Sequence, residues 1–204
     1  MGVTQAAGLS LRWFRDTFAT NSRGDRESYD QLTAEAAKIP AGSDGLLWTP
    51  YLMGERTPHL DSNARGALVG LTASHTRAHI IRAILEGVAF SLRDTITLFR
   101  EMSVPVNSIR LGGGARSPLW RQIQADVYGH AVEIVEAEEG AAYGAALLAG
   151  VGAGHWPTVD AACAATVRVA SRISPQPGAV ATLNASYSAF RRIYPATREI
   201  LSPH

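Results

Sequence analysis

Cysteine is almost absent from this sequence, which has one, Cys163, among 204 residues. A single cysteine excludes an internal disulfide, and its Ala-rich apolar surroundings predict a small buried side chain rather than a nucleophile. This cysteine usage fits a reducing compartment. We therefore expect a cytoplasmic protein.

An excess of charge of either sign is also missing. The chain has 19 Lys and Arg against 18 Asp and Glu, for a formal net charge of +1. It therefore lacks both the basic field expected of a nucleic-acid-binding protein and an acidic tail. No run of eighteen apolar residues occurs, and no charged region followed by an apolar one opens the chain. We expect no nucleic-acid partner, no membrane span and no secretory signal.

What the chain does have is enough apolar residues for one core, since 46% of its residues are hydrophobic and 18% are charged. A chain of this length buries roughly 70% of its unfolded surface in a single α/β domain. The first predicted element is a helix at about residues 5–20, whereas an α/β domain usually begins with a strand. This order predicts that the chain is the later part of a longer protein.

Apolar periodicity predicts a series of helices and short strands. Helices are expected at residues 5–20, 29–38, 76–102, 118–128, 141–150, 160–166 and 180–193, the last ending before Pro195. Strands are expected at residues 46–49, 106–111 and 131–135, with an edge strand at 167–169. The longest helix, residues 76–102, should be a central helix packed on a sheet.

A glycine-rich turn joins one of these strands to the next helix. Gly112, Gly113 and Gly114 remove every β-carbon for three residues, so another group can approach the backbone closely. Ser117 supplies an N-cap oxygen, and Pro118 suits the first helical turn. The helix should then direct free N–H groups and its positive dipole end over the glycines, where an anion or a ribose edge would fit.

The same turn also has a purely structural interpretation, because many strand-to-helix turns use glycine only to pack tightly. The run does not match GxGxxG, since Ser117 occupies the position of the last glycine, and no GxxxxGK[ST] occurs in the chain. A Rossmann-type dehydrogenase is disfavoured because no acidic residue follows such a motif at the expected interval. Locally, nucleotide binding and tight packing both stay open.

A long loop of mixed charge spans residues 51–66 without periodicity. Loops of this length are uncommon unless they bind something or are ordered by their own salt bridges. His59 has no second His or Cys nearby, so a metal-binding role for it is weakly supported. Four charged side chains of the loop could pair with one another, and a structural role is favoured for most of them: Glu55, Arg56, Asp61 and Arg65.

Two features of the helices bear on function. Glu86 lies inside the apolar register of the long helix, and a buried carboxylate must be paired or hydrogen-bonded. We expect it to hold a nearby loop through Arg56 or a backbone amide, with a functional acid as the alternative. The helix at 141–150 carries alanine and glycine on both faces, so another element should come very near, either at a moving domain seam or through plain tight packing.

Several motifs together resemble one family. The run Gly66–Leu71, then seven residues, then His79–Glu86 resembles the C-terminal signature of the FGGY carbohydrate kinases. Further segments match in the family's order: residues 54–59, 63–66, 112–126 and 139–146. The resemblance covers about residues 2–194 and is strongest to the pentulose kinases of the family.

This resemblance implies an α/β fold of the ribonuclease H-like type, shared by the actin, hexokinase and Hsp70 ATPases. In that fold two lobes close over an ATP–Mg²⁺ complex. Residues 1–204 would form a single domain, most of the C-terminal ATP-binding lobe and incomplete at its N-terminal end. The N-terminal sugar-binding lobe would be absent from the chain.

The resemblance also assigns the nucleotide site. Gly113 and Gly114 would approach the adenosine and the inner phosphate, and Ser117 would lie beside the adenine or ribose. Gly112 and Ala115 complete this cofactor-binding set. No catalytic residue is expected in the chain, because the family's general-base aspartate precedes the counterpart of Met1. No metal ligand is expected in the chain either.

Three further residues would support the cleft by the same resemblance. Glu55 and Arg56 would belong to a supporting loop, and Glu86 would brace the cleft from behind. The helix at 141–150 would lie at the hinge between the lobes.

The activity implied is phosphorylation of a ketopentose by ATP and Mg²⁺, with D-xylulose favoured and gluconate or ribulose as alternatives. Expected partners are ATP or ADP, the pentulose and the missing lobe, with a homodimer left open.

The isolated chain should be inactive, because phosphoryl transfer depends on positioning and charge stabilisation by parts it lacks. The rival hypothesis is a non-catalytic nucleotide-binding or interaction module, which should be monodisperse, whereas a lobe fragment should expose apolar surface and self-associate.

Overall fold

Helices and strands alternate in the second half of the chain, as in an α/β domain. The computed structural model describes residues 2–20, 25–112, 117–136 and 140–201. Its helices are α1 (Ala7–Phe18), α2 (Tyr29–Ala36), α3 (Arg77–Glu101), α4 (Pro118–Tyr128), α5 (Gly140–Gly152), α6 (Val159–Thr166), α7 (Pro177–Phe190) and α8 (Ile193–Leu201). Its strands are β1 (Leu47–Thr49), β2 (Ala67–Val69), β3 (Ile109–Leu111), β4 (Val132–Val135) and β5 (Val169–Ile173).

The strands form two separate sheets. β1 and β2 pair antiparallel, with Trp48 opposite Leu68. The second sheet has the order β3-β4-β5: β3 runs parallel to β4 with Ile109 opposite Val132, and β5 returns antiparallel with Ile173 opposite Val132. The crossover from β3 through α4 to β4 is thus a βαβ unit, and the predicted glycine turn lies at its first corner.

α3 is the central helix that its apolar periodicity predicts. Ile81, Ile84 and Phe90 are almost completely buried. The main neighbours of α3 are β1, α1, α2 and α4, so the sheet it packs on is the two-stranded one. A β-carbon added at Gly87 would overlap the backbone oxygen of Trp48. The glycine therefore lets α3 and β1 meet backbone to backbone.

The two N-terminal helices pack on α3. Ser28 caps α2 reciprocally: its Oγ accepts the Gln31 N–H at 3.2 Å, and Gln31 Oε1 accepts the Ser28 N–H at 2.7 Å. From α1, Trp13 stacks on Trp48 with ring centroids 5.4 Å apart. Phe18 at the end of α1 remains 57% exposed, so α1 does not bury all of its aromatic side chains.

The C-terminal region differs from the prediction of one helix ending before Pro195. α7 ends at Phe190, and α8 begins at Ile193 with Pro195 inside its first turn. A proline is tolerated there, because the first-turn N–H groups of a helix have no intrahelical acceptor. The edge strand predicted at 167–169 was placed too early: residues 167 and 168 precede it, and the edge strand β5 covers Val169–Ile173 and is mostly exposed.

Two expectations from composition can be compared with the structure. Cys163 is a free thiol, but it is half-buried rather than buried, because Ala162 is the α6 residue that enters the core. Among the described residues, no helix is both long enough and apolar enough to cross a membrane.

Candidate functional site

The glycine turn lies between the end of β3 and the start of α4. Gly112 and Ser117 are described here, whereas Gly113, Gly114 and Ala115 lie outside the described residues. A β-carbon added at Gly112 would meet no atom of the described residues within 4 Å. Gly112 therefore borders open space, and close packing against the described residues does not explain its missing side chain.

The start of α4 is largely closed by its own residues. Ser117 Oγ accepts the Trp120 N–H at 3.4 Å, and the Ser117 backbone oxygen accepts the Arg121 N–H at 3.1 Å. Pro118 has no N–H, and the Leu119 N–H has no acceptor among the described residues. This donor and the positive end of the helix dipole are available to an anion or a ribose edge, as the sequence predicts.

Glu86 is 1% exposed and is surrounded by donors. Arg82 Nε and the Gly42 N–H donate to Oε1 at 2.6 and 3.0 Å, and Ser43 Oγ donates to Oε2 at 3.0 Å. The pKa of Glu86 is raised, because burial outweighs the charge of Arg82. The expected bond to a backbone amide is present, but the expected partner Arg56 is wrong. Arg82, one turn earlier on the same helix, takes that place.

The turn that Glu86 binds has an unusual backbone. Gly42, Ser43, Asp44 and Gly45 have φ angles of 90°, 49°, 50° and 90°. Non-glycine residues adopt such angles at a cost of roughly 1–2 kcal/mol each. The bonds from Glu86 to Gly42 and Ser43 hold this conformation, so the carboxylate anchors the turn to α3.

Glu55 is a second buried carboxylate, 3% exposed. Its Oε1 accepts the N–H groups of Gln5 and Arg56 at 3.1 and 2.7 Å, and its Oε2 accepts the Ser91 hydroxyl at 3.4 Å. Burial raises the pKa of Glu55, and these hydrogen bonds oppose the rise. Glu55 thus ties the N-terminal segment and the 51–66 loop to α3.

The charged residues of the loop do not pair with one another. Within the described ranges no ion pair joins Glu55, Arg56, Asp61 and Arg65. Asp61 instead accepts the Tyr194 hydroxyl at 2.7 Å, Arg65 donates to backbone oxygens of the loop, and the Arg56 residue is exposed. The possible pairing within the loop is therefore wrong, because backbone groups and two hydroxyls satisfy Glu55, Asp61 and Arg65.

His59 packs as an aromatic side chain. Its ring stacks on Tyr194 with 3.7 Å between ring centroids, and its Nε2 lies 3.1 Å from the Tyr51 hydroxyl. Burial lowers the pKa of His59 to about 4, so the ring is neutral at neutral pH. In the described part of the chain, no three His, Cys, Asp or Glu residues form a group that could hold a metal ion. The metal-ligand interpretation of His59 therefore gains no support.

The small-residue helix predicted at 141–150 is present as α5. Leu147 is its buried residue, and α6 is its main neighbour. A β-carbon added at Gly150 would lie 2.6 Å from the Trp156 ring, so tight packing explains this side of the helix. Leu148 is 60% exposed, which leaves another side of α5 open to solvent.

Two features of this region were not predicted from the sequence, the ion pair of Arg82 with Glu86 and the turn at residues 42–45. The spacing of Arg82 and Glu86 is the i, i+4 spacing of helical ion pairs, so that contact has a local signal. The run at residues 42–45 carries turn-forming residues. No local pattern, however, connects this turn to a carboxylate 44 residues away.

The fold and its turn can now be compared with known proteins. The structural neighbours are sugar kinases, which place the fold in the actin- and hexokinase-type ATPase class. The chain belongs to the FGGY family of carbohydrate kinases, whose C-terminal domain matches residues 1–153. The resemblance drawn from the sequence motifs is therefore confirmed.

Individual relatives agree with this assignment. The chain is 43% identical over 201 residues to the xylulose kinase of Bacillus subtilis, covering 98% of this chain and 39% of the relative. It is 41% identical over 167 residues to the gluconokinase of Bacillus subtilis, covering 78% of this chain and 33% of the relative. The crystal structure of xylulose kinase from Rhodospirillum rubrum matches with a TM-score of 0.83 at 33% identity, covering 98% of this chain and 40% of that one.

Proposed function

We propose that this chain is part of a kinase that phosphorylates a ketopentose, D-xylulose, at the expense of ATP. The observation that carries the proposal is the 43% identity to a xylulose kinase across 98% of the chain. Because the chain spans 39% of that relative, the activity is proposed for the complete protein. Residues 1–204 would form most of its ATP-binding lobe, and the general base and the sugar-binding lobe would lie outside this chain.

A gluconate kinase is the second candidate. It is favoured by the 41% identity to a gluconokinase, but that match covers 78% of the chain. The xylulose kinase match covers 98% and therefore includes the C-terminal helices as well. The pentulose assignment has the broader support.

The adenosine of ATP is assigned to the glycine turn. Among the described residues, nothing packs against Gly112 and nothing accepts the Leu119 N–H at the start of α4, so a ribose or adenine edge can approach the backbone there. Ser117 would lie beside it. Gly113 and Gly114 would approach the inner phosphate, and Ala115 would complete the set.

Mg²⁺ would reach the cleft on the phosphates of ATP. Magnesium commonly binds through one or two carboxylates together with substrate phosphates. Across the described residues no group of three potential ligands converges, so we assign no metal ligand in this chain. When bound, the ion would neutralise charge on the transferring phosphoryl group.

The buried carboxylates would act on the cleft indirectly. Glu55 fixes the loop that carries Arg56, and Glu86 fixes the turn at residues 42–45, both against α3. Rigid support of this kind keeps reacting groups in a productive geometry. The exposed side of α5 would face the interlobe hinge.

The proposal is tested by assaying ADP release from ATP in two preparations, the full-length protein and residues 1–204 alone. We expect turnover of D-xylulose by the full-length protein, with D-ribulose, D-gluconate and glycerol as competing substrates. The isolated chain should release no ADP with any of them. Preferred turnover of D-gluconate would replace the pentulose assignment, and turnover by the isolated chain would contradict its predicted inactivity.

A further inference from the structure

A second concave site lies between the 51–66 loop and the junction of α7 and α8. It is a cavity of about 240 Å³ that shares no residue with the glycine turn. We call it the aromatic pocket and define it by six of its lining residues: Tyr51, His59, Asp94, Phe190, Arg191 and Tyr194.

The carboxylate of Asp94, which lines the aromatic pocket, has one oxygen without a hydrogen-bond donor in the described part of the chain. Asp94 is 4% exposed, and its Oδ1 accepts the Tyr187 hydroxyl at 2.5 Å and lies 3.7 Å from Arg191 Nε. Within the described residues no hydrogen-bond donor reaches Oδ2. An ionised carboxylate offers about four acceptor positions. Among the described residues, the fully buried side-chain atoms without a hydrogen-bond partner are Arg93 Nη1 and Thr95 Oγ1, so Asp94 Oδ2 is reachable from solvent and can accept from a ligand in the pocket.

The other polar groups of the pocket limit the charge of that ligand. The Tyr51 hydroxyl is engaged by His59, and the Tyr194 hydroxyl by Asp61. His59 is neutral at neutral pH, because burial lowers its pKa to about 4. What remains is one carboxylate acceptor, Asp94, next to one cationic donor, Arg191, whose side chain is 55% exposed. Burial raises the pKa of Asp94, and Tyr187 and Arg191 oppose the rise.

This pairing of charges disfavours ionic ligands. A cation drawn to Asp94 would meet the guanidinium of Arg191, and an anion drawn to Arg191 would meet the carboxylate of Asp94. A hydroxyl both donates and accepts, so two neighbouring hydroxyls satisfy both groups at once. The pocket is therefore matched to a neutral ligand with several hydroxyl groups.

The size and walls of the pocket indicate a small ligand. A volume of 240 Å³ equals that of about eight water molecules at roughly 30 Å³ each. The rings of Tyr51, Phe190 and Tyr194 give it apolar walls, against which the C–H groups of a carbon chain can be buried. A compound of five or six carbons suits both the volume and the walls.

We propose that the aromatic pocket is a binding site for a small neutral polyhydroxy compound. Its adjacent hydroxyls donate to Asp94 and accept from Arg191, while its carbon chain packs on the rings. The site is separate from the nucleotide turn and does not depend on the kinase assignment.

The test titrates residues 1–204 with xylitol, followed by protein NMR chemical shifts. D-xylonate and 1-amino-1-deoxyxylitol serve as an anion and a cation of matched size. We expect saturable binding of xylitol, with the two charged analogues at least about fivefold weaker, since each meets a like charge in the pocket. No saturable binding of xylitol, or equal binding of a charged analogue, would overturn the proposal.

Variants assign the binding to the pocket. Asp94→Asn keeps an oxygen that can accept from Tyr187 but replaces the second carboxylate oxygen with an NH₂ donor. The change should weaken xylitol binding by about tenfold or more, because a charge-assisted hydrogen bond is lost. Arg191→Gln, at a half-exposed side chain, should weaken binding without disturbing the fold. Its neighbour Arg192→Gln, which lies outside the pocket, is the matched control. Binding that survives Arg191→Gln, or that Arg192→Gln weakens equally, would place xylitol elsewhere.

Discussion

Among single residues, the buried ion pair on α3 has the most direct consequence for stability. Arg82 and Glu86 are 6% and 1% exposed, with Nε and Oε1 2.6 Å apart. Removing one member of such a pair leaves the other buried and unpaired, which typically costs about 3–5 kcal/mol. Glu86→Gln should therefore lower the free energy of unfolding by about 3 kcal/mol, measured by urea denaturation.

The control for this change is an exposed pair. Arg110 lies 3.3 Å from Glu133 on the neighbouring strands, and the Arg110 side chain is 54% exposed. Exposed ion pairs contribute roughly 0–1 kcal/mol. Glu133→Gln should therefore have little effect, and equal destabilisation by Glu133→Gln and Glu86→Gln would show that Glu86 is not an anchor.

The lowered pKa of His59 makes the free energy of unfolding depend on pH. Its folded-state pKa is lowered from 6.5 to about 4, mainly by burial, so between these values the unfolded chain binds a proton that the folded chain excludes. This contribution is fully present above pH 6.5 and is lost as the pH falls toward 4, by up to about 3 kcal/mol. His59→Phe should keep the stack on Tyr194 and remove the titration.

The measurement compares urea unfolding of the two proteins at pH 7 and pH 4. Wild type should lose stability relative to His59→Phe by about 2–3 kcal/mol over this interval. An unchanged difference between the proteins at the two pH values would mean that the pKa of His59 is the same in the folded and the unfolded chain.

Among the elements, substitution of a helix glycine should have opposite effects depending on whether the glycine faces another backbone or open space. At Gly87 an added β-carbon would overlap the Trp48 backbone oxygen, whereas at Gly8 in α1 it would meet nothing within 4 Å. Gly87→Ala should destabilise by about 3 kcal/mol through overpacking. Gly8→Ala should stabilise by about 0.5–1 kcal/mol, because alanine is the better helix former. Thermal unfolding decides the signs, and stabilisation by both changes would contradict the close contact.

The elements that the sequence predicted best are those with local signals. α4 begins at Pro118 behind the Ser117 cap and ends at Tyr128 before Gly129, as its residues predict. β2 has three residues, Ala67–Val69, too few to show a period of two. α8 was missed because Pro195 was taken as a stop, although a proline is tolerated in a first turn.

The candidate site shows the same division between local and distant contacts. Gly112 and Ser117 were identified from a glycine run and a cap, which are adjacent in sequence. The aromatic pocket was not predicted, because Tyr51, Asp94 and Arg191 come from a loop, from α3 and from the turn between α7 and α8, which only the tertiary fold brings together. The N-cap oxygen predicted at Ser117 accepts the Trp120 N–H, so this contact also has a local signal.

For the whole molecule, the share of a relative's length that the chain covers predicts whether the isolated chain associates with itself. The chain spans 39% of the xylulose kinase it matches, and several large apolar side chains of the described residues are exposed. These are Phe18 at 57%, Leu60 at 82%, Leu71 at 59% and Leu148 at 60%. Apolar surface left uncovered by an absent lobe should make the isolated chain self-associate. Sedimentation velocity checks this, and a monodisperse monomer would favour a stand-alone module.

The glycine turn is where we propose that this domain holds the adenosine of ATP. The most direct measurement is calorimetric titration of the chain with ADP, beside Gly112→Val and the control Gly178→Val. Both glycines border open space among the described residues, and neither has a positive φ, so valine should not strain the fold at either position. We expect ADP to bind wild type and Gly178→Val alike and Gly112→Val to abolish binding. Equal ADP affinity in all three proteins would contradict this proposal.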